Sequence, residues 1–235
     1  MKRYEAILID LDGTLLPMDQ DVFVERFFAA FCEFAGKLGY DKNLFKRAMQ
    51  SATFVMSKND GRASNDTVFW NTFSTVLGSD DPLLREKVES FYHTDFAEVK
   101  SCVGREPLAA ELIKLAHEKA GKVVLATNPL FPACAITARL NWAGLDGGDF
   151  DHITDYCGSK YCKPDPRYFA DLFAKLKVNA NNCLMIGNDV AEDTPAADFG
   201  ADVFLLDRCL ITHGLPVTRI KHGDIGQLLS YLFED

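Results

Sequence analysis

Two hydrophobic periods alternate along this chain. From Ala6 to Ile9 the residues are continuously apolar, the pattern of a strand buried on both faces. That run stops at Asp10-Leu11-Asp12-Gly13-Thr14, two carboxylates two residues apart followed by a turn glycine. The period then changes. Phe23, Phe27, Phe31, Phe34 and Leu38 recur at helical spacing and predict an amphipathic helix stopped near Gly39. Leu44, Phe45, Ala48 and Met49 predict a second helix, followed by a loop at Ser57-Lys58-Asn59-Asp60-Gly61. Asp66 is expected to cap a third helix, carrying Phe69, Trp70, Phe73 and Leu77 and closed at Gly78. Pro82 opens a fourth, with Leu84, Val88, Phe91 and Tyr92. No strand is predicted between residues 18 and 100.

The strand–helix rhythm resumes beyond residue 100. Glu106 and Pro107 open a helix through Leu108, Leu112 and Leu115 to Gly121, and Lys122 to Thr127 follows as a buried strand. A helix is expected over Phe131–Leu140, a weaker strand over Phe150–Tyr156, and a helix over Tyr168–Lys177. Then come a strand at Cys183–Ile186, a short helix at Pro195–Phe199, a strand at Ala201–Leu206 and a last helix at Ile225–Phe233. Such alternation implies an α/β fold with a doubly wound parallel sheet. Residues 1–17 and 101–235 would form that α/β core, and residues 18–100 a helical insert. An insert leaving directly after the Asp10/Asp12 turn sits over the carboxyl edge of the sheet, as a cap or lid would.

Composition narrows the setting. The chain has 235 residues, 48% of them hydrophobic, enough for one large domain or a domain with an insertion. No run approaches the ~18–20 apolar residues of a membrane span. Met1 to Glu5 lead straight into the first strand, leaving no room for a cleavable leader, so a cytoplasmic location is expected. The seven cysteines are scattered without a C-x-x-C pair and are expected to be reduced, mostly buried thiols. A net charge of −9 speaks against extended contact with nucleic acid or an acidic membrane surface. It leaves room for a small anionic substrate, because a bound metal and one or two lysines can reverse the local field.

Four segments bring chemistry to the strand ends: Asp10-Leu11-Asp12-Gly13-Thr14, Ala126-Thr127-Asn128-Pro129, Lys163-Pro164-Asp165-Pro166 and Gly187-Asn188-Asp189 with Glu192 and Asp193. They supply carboxylates, a hydroxyl, an amide and a lysine. Phosphoryl transfer uses these groups. An anionic nucleophile approaches phosphate only beside a cation, the equatorial oxygens need donors, and a second carboxyl protonates the leaving alkoxide.

The four motifs, in this order and with a helical insert after the first, resemble the haloacid dehalogenase (HAD) superfamily over nearly the whole chain. The resemblance implies a Rossmann-like HAD core with an α-helical cap. It implies that Asp10 is the nucleophile that becomes an aspartyl-phosphate and that Asp12 is the general acid/base. Thr127 and Asn128 would contact the phosphoryl group, and Lys163 would offset the charge of nucleophile and phosphate. Mg²⁺ would be held by Asp10, by the main-chain carbonyl of Asp12, and by the fourth motif through Asn188, Asp189 and Asp193. The chain departs from many relatives in having Asn188 where Asp directly follows the glycine. Either Asn188 or Asp189 is then the direct ligand, and Asp189 is preferred because Asp10 alone makes a poor Mg²⁺ site.

Blander roles accompany each residue. Asp12-Gly13 by itself is a turn signal. Thr127 and Asn128 could end a strand, and Asp193 could cap a helix before Thr194-Pro195. Glu192 reads as a solvated neighbour, the cap phenylalanines and Trp70 as mostly helix core, and the five histidines as surface or core. The function that follows is a Mg²⁺-dependent phosphatase acting on a small phosphorylated metabolite. A phosphosugar mutase, or a phosphonatase using one of Lys37, Lys42, Lys46 or Lys58, belongs to the same superfamily. A dehalogenase would not need Asp12 as an acid. A non-catalytic phosphate-binding protein, or a phospho-acceptor domain, would need neither Asp12 nor an insert over the site. Oligomeric state is not legible.

Overall fold

The computed structural model describes residues 3–234. Strand β1 (Tyr4–Ile9) lies in the middle of a six-stranded, wholly parallel sheet. After it come the helices α1 (Gln20–Lys37), α2 (Lys42–Ser57), α3 (Asn65–Leu77) and α4 (Leu84–Glu89), then 3₁₀ turns running to Cys102. The second stretch continues with α5 (Ala109–Lys119), β2 (Ala120–Leu125), α6 (Ala133–Ala143), β3 (His152–Ile153), α7 (Pro166–Leu176) and β4 (Cys183–Gly187). It ends with α8 (Val190–Asp193), β5 (Asp202–Leu206), β6 (Lys221–Gly223) and α9 (Ile225–Phe233). The strand order is β3-β2-β1-β4-β5-β6. The chain therefore steps outward from β1 in both directions, and the reversal opens a crevice at the carboxyl ends of β1, β2 and β4.

The apolar strands are buried on both faces. Ile7 and Ile9 of β1 pack with α5, α6, α9 and the helices that follow β1. Ala6 and Leu8 face the other way, onto Tyr168, Phe169, Leu172 and Phe173 of α7. The helices of residues 20–102 share one continuous set of buried side chains with the first sheet face, rich in edge-to-face aromatic pairs such as Phe27–Phe91 and Phe31–Phe91. The segment leaves and returns at one point. Met18 bridges antiparallel to Val103, and the Gly104 amide donates to the Pro17 carbonyl at 2.6 Å.

Several local expectations change. The cap position of α3 is Ser64; Asp66 lies in the first turn, where its carboxylate accepts from the Ser64 hydroxyl at 2.5 Å. The weak strand shrinks to His152–Ile153, because only two residues pair with β2 before the chain turns away. The turn over Thr194–Phe199 is 3₁₀ rather than α. Strand β6 gave no signal: Lys221-His222-Gly223 is a polar edge strand without alternation. Of the seven cysteines, all unbridged, only Cys162 and Cys183 are buried. Among the described residues no helix is long and apolar enough to cross a membrane.

Candidate active site

All four motifs meet at the crevice. Asp10 continues β1 by one more ladder bond, its amide donating to the Ile186 carbonyl at 2.9 Å, and its buried side chain faces the sheet's edge. The chain then doubles back sharply. The Leu16 amide reaches the Leu11 carbonyl at 2.9 Å, and the Gly13 amide reaches the Leu16 carbonyl at 2.8 Å. Gly13 is required twice over. Its φ is +84°, and a Cβ there would lie 2.2 Å from Asn188 Nδ2. Asn188 thus packs against the Asp10–Thr14 turn. Its Oδ1 accepts from the buried Thr14 hydroxyl at 2.9 Å, and its Nδ2 donates to the Cys209 carbonyl at 2.8 Å.

Lys163 is the electrostatic centre. Its side chain is 0% exposed, and Nζ donates to Asp10 Oδ1 at 3.0 Å and to Asp193 Oδ1 at 2.7 Å. Burial opposes its charge, but the Asp10 and Asp193 carboxylates hold it protonated well above the ordinary lysine range. Asp193 is fixed from the other side, its Oδ2 accepting the amides of Asn188 and Asp189 at 3.0 Å each. Burial pushes the Asp10 carboxyl up to about 7, Lys163 pulling it down and Asp193 and Asp12 adding to the rise.

The motif residues line a polar cavity of about 30 Å³ together with Gln20 and Glu192. Asp10, Asp12, Thr127, Asn128, Asn188, Asp189 and Asp193 all border it, so the structure brings together every residue the motifs nominate there. Lys163 reaches the same place through Asp10. Thr127 is buried, and its carbonyl is held by the Thr154 hydroxyl at 2.7 Å and the Tyr168 hydroxyl at 3.1 Å. Asn128 Nδ2 donates to the Lys163 carbonyl at 3.2 Å, tying the second motif to the third.

Four further residues enter. Glu192 is not a solvated neighbour: Asn128 Nδ2 donates to its Oε1 at 3.0 Å, and burial pushes its carboxyl up to about 8. Arg139 of α6, 0% exposed, pairs through Nη1 with Asp12 Oδ2 while its guanidinium stacks 4.3 Å from the Phe131 ring centre. A lone arginine among Ala135, Ile136, Leu140 and Ala143 was the available signal, a charge on a face that must be buried. Thr14 binds Asn188 as above. His213 Nε2 lies 2.8 Å from Asp189 Oδ2, so one of the five histidines does meet the site. His222 and His117 likewise have partners, Asp207 and the Asp149 carbonyl. Asp193 does stand at the cap position of the Thr194–Phe199 turn, but its side chain makes no cap bond there; Asp189 caps α8, its Oδ1 accepting the Ala191 and Glu192 amides at 2.8 and 3.0 Å.

Carboxylates outnumber cations at this cavity, and among the described residues three polar atoms, Asp12 Oδ1, Asn128 Oδ1 and Arg139 Nη2, are buried without a hydrogen-bond partner. Such a site holds protons or takes a cation. Among the described residues no three Asp, Glu, His or Cys side chains already converge as a cation cage.

The family model described as haloacid dehalogenase-like hydrolase matches residues 4–198. No curated protein sequence matches. Solved structures resemble the chain over almost its whole length. A HAD phosphatase from Thermococcus onnurineus is 20% identical with a TM-score of 0.57, covering 99% of this chain and 98% of its own. A putative HAD-hydrolase from Bacillus subtilis, bound to magnesium, is 19% identical with a TM-score of 0.56, over 98% and 99% of the two chains. The L-2-haloacid dehalogenase from Xanthobacter autotrophicus is 18% identical with a TM-score of 0.50, over 86% and 77%. At these identities the likeness is one of fold.

Proposed function

The chain belongs to the haloacid dehalogenase-like hydrolases, and on that premise we propose that it is a phosphatase acting on a small phosphomonoester through an aspartyl-phosphate. The observation that carries this reading is the pairing of two chemically distinct aspartates on one cavity. Asp10 is held by a buried lysine, and Asp12 has one oxygen anchored by Arg139 and the other, Oδ1, without a partner. In the proposed reaction Asp10 forms a bond to phosphorus as the ester P–O bond breaks, and the alkoxide departs with a proton from Asp12. Asp12 then takes a proton from water, the water oxygen attacks phosphorus, and the Asp10–P bond breaks to release phosphate. Lys163 favours the ionised form of Asp10 against the effect of burial and holds it in place. Thr127 and Asn128 border the cavity where the phosphoryl oxygens would lie.

The donor set suits Mg²⁺: it is entirely oxygen and rich in carboxylate, and a cation that keeps several waters does not need a closed protein cage. Asp10 and the main-chain carbonyl of Asp12, with Asn188, Asp189 and Asp193 around them, would hold it. Bound there, it would screen the repulsion between Asp10 and a phosphate dianion. The proposed site division makes residues 18–100 a cap over the core formed by residues 1–17 and 101–235.

Carbon–halogen hydrolysis is the competing chemistry among the structural neighbours. Halide leaves without a proton, so it gives Asp12 nothing to do. The test is turnover of p-nitrophenyl phosphate and of 2-chloropropionate, each with Mg²⁺ and with EDTA. Mg²⁺-dependent phosphate release that is lost in Asp10→Asn and reduced at least 100-fold in Asp12→Asn supports the proposal. Chloride release that persists in Asp12→Asn refutes it.

A further inference from the structure

A second space opens beside the polar cavity. It measures about 230 Å³ and lies between the helices that follow β1 and the loop at the end of β2. Its walls are apolar and aromatic, led by Phe23, Phe27, Met49, Trp70, Phe131 and Tyr156. Asp12, Gln20, Asn128 and Glu192 border both spaces, so the two are joined through the proposed acid/base residue. No lysine, arginine or histidine lines the chamber, and its carboxylates, Asp12 and Glu192, lie only at the shared end. Apart from the Tyr92 hydroxyl, the polar atoms of its aromatic wall are already committed. Trp70 Nε1 donates to the Tyr156 hydroxyl at 3.3 Å, and that hydroxyl donates to Glu89 at 2.7 Å.

From this we propose that the chamber receives the alcohol part of the substrate, and that the substrate is the phosphomonoester of an uncharged, apolar alcohol bearing one aromatic ring or a compact alkyl group. This rests on the phosphatase reading and extends it. The leaving oxygen must sit at Asp12, and the chamber begins there, so the body bonded to that oxygen has the chamber as its space. The size follows from the volume: 230 Å³ is about one and a half times the roughly 150 Å³ apolar cavity that takes up benzene. The polarity follows from the lining. Away from the shared end, where Asp12, Glu192 and the Arg139 guanidinium lie, a carboxylate, ammonium or second phosphate on the body would lose its hydration and find no counter-charge among the lining residues. The several hydroxyls of a sugar would meet too few partners, the Tyr92 and Thr53 hydroxyls being the polar groups of the wall left for them away from the shared end. A flat ring instead meets aromatic faces and edges.

The test compares kcat/KM, with Mg²⁺, for benzyl phosphate, phosphoglycolate, glycerol 1-phosphate and glucose 6-phosphate, with acetyl phosphate as a nearly bodiless reference. Benzyl phosphate is expected to exceed each of the three polar esters at least 30-fold. Trp70→Ala removes a wall, and Thr53→Phe fills the chamber from α2, where Thr53 also lines it. Each should lower the benzyl-to-acetyl ratio of kcat/KM at least tenfold, mainly through KM. Benzylphosphonate, which is not hydrolysed, should perturb the tryptophan fluorescence of the native protein and do so less in Thr53→Phe. Acetyl phosphate turnover combined with equal or better use of a polar ester overturns the chamber assignment while leaving the phosphatase reading intact. Ratios unmoved by both substitutions overturn it as well. Failure to hydrolyse any phosphate ester with Mg²⁺ overturns both.

Discussion

Replacing Lys163 by Met tests the electrostatic centre directly. Methionine retains most of the side-chain volume, so the packing cost is small and the loss is that of charge. The native ammonium is 0% exposed and lies 3.0 Å from Asp10 and 2.7 Å from Asp193. Removing it leaves two carboxylates in a buried cluster without their cation. Breaking a buried pair from one side costs about 3–5 kcal/mol, and that is the loss expected at pH 8. The pH dependence has a definite sign. Burial already holds the Asp10 carboxyl at about 7, and Lys163 is the largest influence keeping it from going higher. In the variant it rises further above its unfolded value of about 3.9. The folded variant therefore binds a proton that the unfolded chain does not, and its stability falls as pH climbs through that window. At pH 5.5 Asp10 is neutral in the variant and part of the deficit disappears. Urea unfolding in EDTA, followed by far-UV circular dichroism at pH 5.5 and pH 8, measures both quantities. A deficit below about 1 kcal/mol at pH 8, or one identical at the two pH values, would refute the reasoning.

The remaining expectations are of smaller scope. Glu192→Gln keeps an acceptor for Asn128 but removes a carboxyl whose folded value of about 8 lies above its unfolded one. Its ionisation costs stability as pH rises from about 4 to 8, so the variant should melt higher than the native protein at pH 9 and equally at pH 4.5; an equal offset at both would discount Glu192's buried charge. Gly13→Ala should lose more than the about 1–2 kcal/mol of left-handed strain, because its Cβ collides with Asn188, whereas Gly39→Ala, at φ +82° with nothing within 4 Å, pays the strain alone; chemical denaturation of the pair checks the difference. For the metal, Asp189 is engaged by two helix amides and His213, while Asn188 sits against the Asp10–Thr14 turn. Asn188→Ala should therefore raise the Mg²⁺ concentration for half-maximal activity more than Asp189→Asn, and the reverse order in a titration would restore the sequence-based preference for Asp189.

What the sequence determined was local and periodic. Continuous apolar runs can be buried only between two layers, so Ala6–Ile9 and Cys183–Ile186 already implied a parallel sheet, and the phenylalanine stripe of α1 implied a helix with one face inward. The order of the four motifs implied that Asp10, Asp12, Thr127, Asn128 and Lys163 share one sheet edge, because parallel strands present their carboxyl ends together. The tertiary structure decided whatever depends on distant residues. That Arg139 rather than solvent faces Asp12, that Glu192 is buried against Asn128, and that His213 meets Asp189 are facts about chain crossings 127, 64 and 24 residues apart. Strand β6 forms because β5 offers it a ladder, not because Lys221-His222-Gly223 favours extension. The choice of which phenylalanines are core and which line the chamber is of the same kind. Phe31 and Phe34 share the stripe with Phe23 and Phe27, and only the packing of α1 over the sheet edge turns the second pair toward Asp12. Periodicity fixes the face of a helix, but the neighbour that face meets is set by the fold.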